Sequence, residues 1–273
     1  MRWDRNYSSS EVEDRRGEDP VAGGGGGVPL FGILRFFSMF GWKGTLVGLV
    51  IAGALFVGSQ FTGSSHHHLA SRPAATSPQE DELFHFVQYV FDDVQTSWRT
   101  RLPGYKDARL VVFRNSTHSA CGVATEAVGP FYCPRDREVY IDLGFYDELR
   151  RRFGAPGDFA QAYVIAHEIG HSVQDQLGLL HDQRRDSVKI ELQADCLAGA
   201  WAQDAERRGE LEPGDLSEAL NAATQIGDDM IQRREQGYVQ PETFTHGTSQ
   251  QRRESFQAGH DGGPAACGVK VAQ

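Results

Sequence analysis

An uninterrupted run of uncharged residues, Gly44–Phe61, constrains the fold of this 273-residue chain more than any other feature. Its 18 positions contain no Asp, Glu, Lys or Arg, whereas uncharged stretches of core helices usually extend over about 10–14 residues. Trp42 and Lys43 precede the run, as expected where a chain enters a headgroup layer. We therefore predict a single transmembrane helix over 44–61, with a Gly-rich core helix as the alternative.

Positive charge near the predicted span sets the expected topology. Arg35 and Lys43 lie just before the span, and the next arginine after it is Arg72. Because cytoplasmic flanks carry the excess of Lys and Arg, we expect a single-pass protein of the cell membrane. Its N-terminus would lie in the cytoplasm and residues 62–273 outside, with the lipid bilayer as a partner through this helix.

Composition divides the remainder of the chain into three parts. Residues 1–43 read as a polar and Gly-rich cytoplasmic tail, within which the apolar stretch Pro29–Phe40 is expected to lie along the membrane interface. Residues 62–78 have the Ser-, Pro- and Ala-rich composition of a flexible linker. The folded domain is expected over 79–273.

The charge balance excludes one class of partner. Asp and Glu number 37 and Lys and Arg 27, which gives a net charge of −10. Acidic and basic residues balance within 1–43, so the whole deficit falls on the later part of the chain. An acidic domain without a basic stripe does not bind polyanions well, and we expect no nucleic-acid partner.

All four cysteines, Cys121, Cys133, Cys196 and Cys267, follow the predicted span. An even number of cysteines in an exported domain predicts two disulfides, for which three pairings exist. We favour Cys121–Cys133, which closes a loop of Gly, Pro and aromatic residues, together with Cys196–Cys267. The alternative for Cys196, which falls within a predicted helix, is a buried thiol.

Periodicity predicts a helix-dominated α+β domain with a small sheet. Apolar residues at helical spacing mark a helix over Glu80–Arg101. Apolar and β-branched residues predict two strands, Arg109–Phe113 and Glu138–Leu143. Further helices are predicted from Phe159 to about residue 177 with Asp158 as N-cap, from Ser187 to about residue 208, over Asp215–Arg234 and over Ser249–Gln257.

The helix from Phe159 contains the motif His167-Glu168-Ile169-Gly170-His171. Two histidines one helical turn apart project from one face, so both imidazoles can reach one Zn²⁺. Glu168 lies beside them and can reach a water on the metal without being a ligand. Gly170 in mid-helix predicts a close approach by another backbone.

A catalytic zinc site needs a third protein ligand and one open position. Glu191 follows His171 by 20 residues on the next predicted helix, which would run antiparallel to the first. Asp195 lies one turn beyond Glu191 and can accept the second N–H of a ligating histidine. The alternative is that the two carboxylates form a solvated helix face.

Two histidines and a glutamate with an open position predict metal-assisted hydrolysis with one Zn²⁺ per chain. Glu168 is the expected general base. His246, with Arg252 nearby, is the candidate for stabilising the oxyanion of the transition state, and Tyr140 and Tyr163 are weaker candidates. The alternative for His246 is a loop residue next to a helix cap.

These motifs resemble those of the bacterial neutral zinc metallopeptidase family. The resemblance implies a gluzincin-like core in which His167, His171 and Glu191 hold the metal and Glu168 is the catalytic acid–base residue. The Glu191–Asp195 block also resembles that of membrane-associated M48-type zinc peptidases, although Gly247 stands where their Thr-His-Pro segment has proline. The resemblance covers nearly the whole chain and is carried by Met1–Trp3, Val12–Arg16, Ala120–Gly122, Gly129–Pro134, Val139–Leu143, Ala166–Gln174, Glu191–Trp201 and Phe244–Gly247.

Three functions compete on this basis. The first is a zinc endopeptidase with a peptide or protein substrate, for which the strand Glu138–Leu143 is a candidate pairing edge. The second is a non-catalytic scaffold or adaptor that keeps zinc for structure, which would need a closed set of four ligands. The third is a zinc hydrolase of a non-peptide amide, since three ligands and a base do not encode a substrate class.

Overall fold

Helices make up most of the computed structural model, which describes residues 1–20, 76–125, 128–180 and 187–270. The helix-dominated α+β class is therefore confirmed. The helices of the described part are α1 (Pro78–Arg101), α2 (Gly144–Arg151), α3 (Asp158–Gln176), α4 (Ser187–Arg207), α5 (Asp215–Gln225), α6 (Asp228–Gln236) and α7 (Ser249–Ala266). The strands are β1 (Val12–Asp14), β2 (Arg109–Phe113), β3 (Ser116–Ser119), β4 (Gly122–Thr125), β5 (Phe131–Cys133) and β6 (Glu138–Asp142).

Side-chain caps mark the starts of two helices, α1 and α7. Ser77 accepts a hydrogen bond from the backbone N–H of Glu80 at the start of α1, which satisfies one of the donors left free in the first turn. At the start of α7, Thr248 and Gln251 form a reciprocal capping box. α3 begins after Gly157, so the predicted N-cap Asp158 lies instead in the first turn.

Four strands form one sheet in the order β1-β2-β6-β5, in which only the β5–β6 pair is antiparallel. β3 and β4 form a separate hairpin. The strand predicted over Glu138–Leu143 is β6, which lies between β2 and β5 and pairs with both. Because both of its edges carry ladder hydrogen bonds, the prediction that this strand holds an extended substrate is wrong.

α3 lies at the centre of the helical layer and packs against α1, α4 and α5, while α7 packs along α4. Glycines permit these close contacts. A β-carbon at Gly170 of α3 would lie 3.1 Å from the Cα atom of Ala194 on α4, so the predicted backbone approach at Gly170 is confirmed. A β-carbon at Gly199 of α4 would overlap the carbonyl oxygen of Phe256 on α7.

The helix predicted over Asp215–Arg234 is two helices, α5 and α6, with a break at Ile226 and Gly227. A β-carbon at Gly227 would overlap the backbone of Ser249 at the start of α7. The chain therefore turns at a tertiary contact that periodicity alone does not reveal. The last helix is also longer than predicted, because it continues beyond Gln257 to a kink at Gly263, after which a short helical segment reaches Ala266.

Two disulfides are present: Cys121–Cys133 closes a local loop, and Cys196–Cys267 joins two parts of the chain 71 residues apart. This is the pairing favoured above, and it leaves none of the four cysteines free. The second disulfide links α4 to the residue that follows α7.

Residues 1–20 pack against the body instead of forming a flexible tail. β1 pairs in parallel with β2, with Val12 opposite Leu110. Trp3 contacts Phe86 of α1, with ring centroids 5.4 Å apart. The α-ammonium of Met1 lies 2.7 Å from an oxygen of Asp158 in the first turn of α3.

The predicted localisation is wrong. Residues 1–20 and the body form one compact unit, and two strands that share a ladder lie on the same side of any bilayer. A cytoplasmic N-terminus with the domain outside is therefore incompatible with the β1–β2 pairing. In the described ranges, no helix combines the length and the apolar character that a membrane span requires. The predicted span Gly44–Phe61, the interfacial segment Pro29–Phe40 and most of the predicted linker lie outside the described residues.

Replacing Trp3 with Ala tests the packing of the N-terminal segment. Trp3 contacts two aromatic residues of α1, Phe86 and Tyr89, so we expect Trp3→Ala to lower the free energy of unfolding by about 2 kcal/mol. Urea unfolding of the full chain measures this change. Arg5→Ala is the control, because the Arg5 side chain is 75% exposed and its loss should cost less than about 0.5 kcal/mol. Equal stability of the two variants would contradict the packing described here.

Candidate metal centre

His167 and His171 lie one turn apart on the same face of α3, so their imidazole rings are neighbours. The ring centroids of His167 and His171 lie 4.8 Å apart at an interplanar angle of 87°. The opposite side of α3 is anchored by buried Ile165, Ile169 and Val173. The apolar stripe therefore fixes which way the two imidazoles face, as the four-residue spacing requires.

α4 brings the third group to the pair. Glu191 Oε2 lies 3.1 Å from His167 Nε2, and Glu191 Oε1 lies 3.5 Å from His171 Nε2. The close contact between Gly170 and Ala194 sets this distance, because Ala194 follows Glu191 by three residues on the same helix face.

The donor set fits zinc. One ligand atom from each of His167, His171 and Glu191 lies within 4.8 Å of the others. Ligand atoms at about 2.0–2.1 Å from a tetrahedral Zn²⁺ lie about 3.3 Å apart, which matches the separations of 3.1 and 3.5 Å between Glu191 and the two histidines. Two imidazoles and one carboxylate are also a common catalytic set that leaves a position open.

Asp195 lies behind His167, where the sequence predicted it. Its Oδ1 atom lies 2.8 Å from His167 Nδ1, which leaves Nε2 to face the metal position. Arg252 of α7 donates to both oxygens of Asp195 at 2.9 Å, and the Tyr163 hydroxyl donates to Oδ1 at 2.5 Å. Burial would raise the pKa of Asp195, but Arg252 and His167 outweigh it and lower that pKa to about 2.

Arg252 therefore holds Asp195 in position, because the N–H groups of its guanidinium donate to buried acceptors of the protein. Beyond Asp195, its guanidinium donates to the carbonyl of Ile226 and to the Tyr163 hydroxyl. Burial alone would lower the pKa of His167, and the neighbouring Asp195 and Glu191 carboxylates raise it to about 10. A metal ion has to displace that proton, so binding would release it.

Gln174 supports His171 and was missed by the sequence analysis. Its Oε1 atom lies 2.8 Å from His171 Nδ1. Its amide nitrogen donates to the Ile190 carbonyl and to Gln193 Oε1, so the amide oxygen is the atom left to accept from His171. The signal available in the sequence was its position, three residues after His171 on the same helix face.

Glu168 faces the centre with one oxygen already held. Its Oε2 atom accepts a hydrogen bond of 2.8 Å from the backbone N–H of Tyr132 on β5. Burial raises the pKa of Glu168, and the nearby His171 and His167 offset this only in part. A carboxylate with a raised pKa can exchange protons closer to neutral pH.

The centre opens into a cleft of about 480 Å³ that also contains His246. The His246 side chain is half exposed, and its Nδ1 atom lies 3.3 Å from Asp228 Oδ1. Asp228 Oδ2 accepts from the backbone N–H groups of Thr245, His246 and Gly247. Asp228, which the sequence analysis missed, therefore fixes the His246 loop, and it holds the imidazole together with Thr245, whose Oγ1 atom lies 2.9 Å from His246 Nδ1.

Neither of the two weaker oxyanion candidates, Tyr140 and Tyr163, presents a free hydroxyl to the cleft. The Tyr140 hydroxyl shares its one proton between the carboxylates of Asp136 and Glu138, and Tyr140 is not among the described residues that line the cleft. Tyr163 does line the cleft, but its hydroxyl is bonded to Asp195.

Comparison with known proteins identifies the family. The family model described as "Putative neutral zinc metallopeptidase" matches residues 1–269, and the chain belongs to this family, as its motifs predicted. It is 42% identical to the Escherichia coli K12 protein named "Uncharacterized protein YpfJ", over 98% of both chains. It is 40% identical to "Uncharacterized protein Rv2575" of Mycobacterium tuberculosis H37Rv, over 64% of this chain and 67% of that one. No solved structure matches the chain.

Replacing Gln174 with Ala tests how the histidine is held. Loss of its amide oxygen frees the His171 ring, so we expect zinc affinity to fall by about tenfold or more. Competition with a chromogenic chelator measures the affinity. Gln176→Ala is the matched control, because Gln176 bonds to the backbone of Lys106 instead. Equal zinc affinity in both variants would contradict the role given to Gln174.

Proposed function

We propose that this protein is a zinc-dependent peptidase that binds one Zn²⁺ through His167, His171 and Glu191. The observation that carries the proposal is the donor set of two imidazoles and a carboxylate, with Glu168 beside it in an open cleft. The family description supports zinc-dependent peptide hydrolysis. A gluzincin-like arrangement of α3 and α4 is part of the same proposal.

Zinc held by these residues would polarise the scissile carbonyl and lower the pKa of the attacking water. Glu168 takes the proton from that water and delivers it to the leaving amine. The hydrogen bond from the Tyr132 N–H fixes one carboxylate oxygen and leaves the other for the proton. The raised pKa of Glu168 suits both steps, because the group must accept a proton and then release it.

His246 is the proposed donor to the oxyanion. With Nδ1 held by Thr245 Oγ1 and Asp228 Oδ1, the Nε2 atom is the one left to donate into the cleft. Asp228 contributes to the orientation of the ring. Arg252 takes no part in this step, since it is engaged with Asp195.

The peptide is expected to lie along β5. This strand ends the four-stranded sheet of the described residues, and Phe131 and Tyr132 line the cleft. Since the Tyr132 N–H is bonded to Glu168, the strand offers mainly carbonyl acceptors at this point. An extended substrate would pair with those acceptors through its own N–H groups.

The scaffold alternative has less support. A structural zinc site is usually closed by four ligands, often including cysteine, but Cys196 is in a disulfide. The alternative of a non-peptide amide substrate is an outcome of the following test.

Replacing Glu168 with Gln tests the proposed chemistry. The substitution keeps the shape and removes the base, so we expect turnover to fall by about 10²–10⁴-fold while zinc remains bound. Zinc content and casein cleavage are measured on the full chain, with chelator-treated wild type as the second control. Zinc in both proteins without cleavage by either would point to another amide or to a scaffold. Unchanged cleavage by Glu168→Gln would refute the mechanism.

Replacing Asp228 with Asn tests the orientation of His246. We expect kcat to fall by about 10–100-fold with KM little changed, because the ring loses its charged partner but no substrate contact. Asp229→Asn is the matched control, since Asp229 accepts from the N–H and hydroxyl of Ser249 and anchors the same region. If both variants lose activity equally, Asp228 has only a structural role.

A further inference from the structure

The cleft beside the metal centre has walls that are mainly apolar. Many of its lining side chains carry no polar atom, and most of these are partly exposed. Phe145, Phe153 and Ile226 pack on the hydrophobic core with one side, so their position is fixed while another side faces the cleft. The apolar wall of the cleft is formed by Phe145, Phe153, Val164, Ile190, Ile226 and Ile231.

This apolar surface adjoins the candidate reacting position. Val164 lies on α3 one turn before His167 and Glu168, on the same helix face. Ile190 directly precedes Glu191 on α4. A peptide carbonyl placed at the centre would therefore have its neighbouring side chain within reach of the wall.

Among the described lining residues, the apolar wall away from the metal centre and His246 offers no free partner to a charged side chain. Arg252 is the only lysine or arginine in that set, and its guanidinium is engaged by Asp195, Tyr163 and the Ile226 carbonyl. The carboxylates in the set, Glu168 and Glu191, belong to the centre itself. A charged side chain placed against these apolar residues would lose water without gaining a partner from them.

We propose that the cleft selects peptide segments with a large apolar side chain next to the scissile bond. This inference rests on the proposed peptidase function and names its substrate class. A volume of about 480 Å³ accommodates one large side chain with its adjoining backbone. Transfer of a Leu or Phe side chain from water into such a cleft is the source of the preference.

Short blocked peptides of Gly, Ala and Ser with one varied central residue, Leu, Phe, Asp or Lys, test the proposal. Their Kd values for the zinc-loaded Glu168→Gln protein are measured by fluorescence anisotropy, and kcat/KM is measured with the wild type. We expect Leu and Phe to be favoured over Asp and Lys by about tenfold or more in both quantities. Equal values, or no binding of any peptide, would overturn the inference.

The variant Ile231→Lys locates the selectivity. Ile231 is partly exposed on α6, a helix with no buried residue, so the fold should tolerate the change. A lysine there supplies a partner for carboxylates, and the preference for Leu over Asp should fall by about tenfold or more. Val123→Lys is the control, because Val123 is 45% exposed on β4 and does not line the cleft. If Ile231→Lys kept the preference for Leu over Asp unchanged, the inference that this apolar wall determines the selectivity would be overturned.

The binding and cleavage measurements separate the two proposals. Selective binding to Glu168→Gln without cleavage by the wild type would support the apolar cleft and reject the peptidase function. Cleavage without selectivity would support the peptidase function and reject the proposal that the cleft selects an apolar side chain.

Discussion

The metal centre depends on how closely α3 and α4 approach each other. Glu191 can face His167 and His171 only because Gly170 lets the backbone at Ala194 come into contact. A β-carbon at position 170 would require the backbone at Ala194 to shift by a few tenths of an ångström, and Glu191 on the same helix would shift with it. α4 also packs against α7 at Gly199 and Gly259. The Cys196–Cys267 disulfide links α4 to the residue after α7, and both contacts help to hold α4 in position.

A buried ion pair, Arg252 with Asp195, also holds one of the candidate metal ligands in its orientation. Arg252 and Asp195 are both buried, and each would be costly in the interior without the other. Asp195 in turn sets the direction of the His167 ring. The orientation of one candidate ligand therefore depends on a residue 85 positions later in the chain. Tyr163, which donates to Asp195, couples the same network to the first turns of α3.

Local patterns predicted those parts of the site that lie within one helix or on two successive helices. The His167–His171 pair and the Glu191–Asp195 pair follow from helical spacing, and the structure brings all four residues together. Their metal-binding role stays a proposal. Asp228 was missed because it lies 18 residues before His246 and looks like an ordinary first-turn acid of a helix. Gln174 was missed because its role depends on acceptors contributed by α4.

The largest error concerned residues 1–20. Their polar composition and the Gly-rich run that follows are typical of a flexible tail, and β1 is only three residues long. Its partner β2 lies far along the sequence, and parallel pairing at such separation leaves no local signal. The topology assigned from flanking charges then placed the two strands on opposite sides of a membrane, which their shared ladder excludes.

The pairing of β1 with β2 also has a consequence for the order of folding. Val12 pairs with Leu110, so the strand that leaves the ribosome first waits for one made about a hundred residues later, and closing so long a loop slows its formation. Arg252, which fixes Asp195, is made later still. The centre is therefore completed only after synthesis has passed Arg252. A nascent or truncated chain would carry the HExxH helix without the support that orients its first histidine.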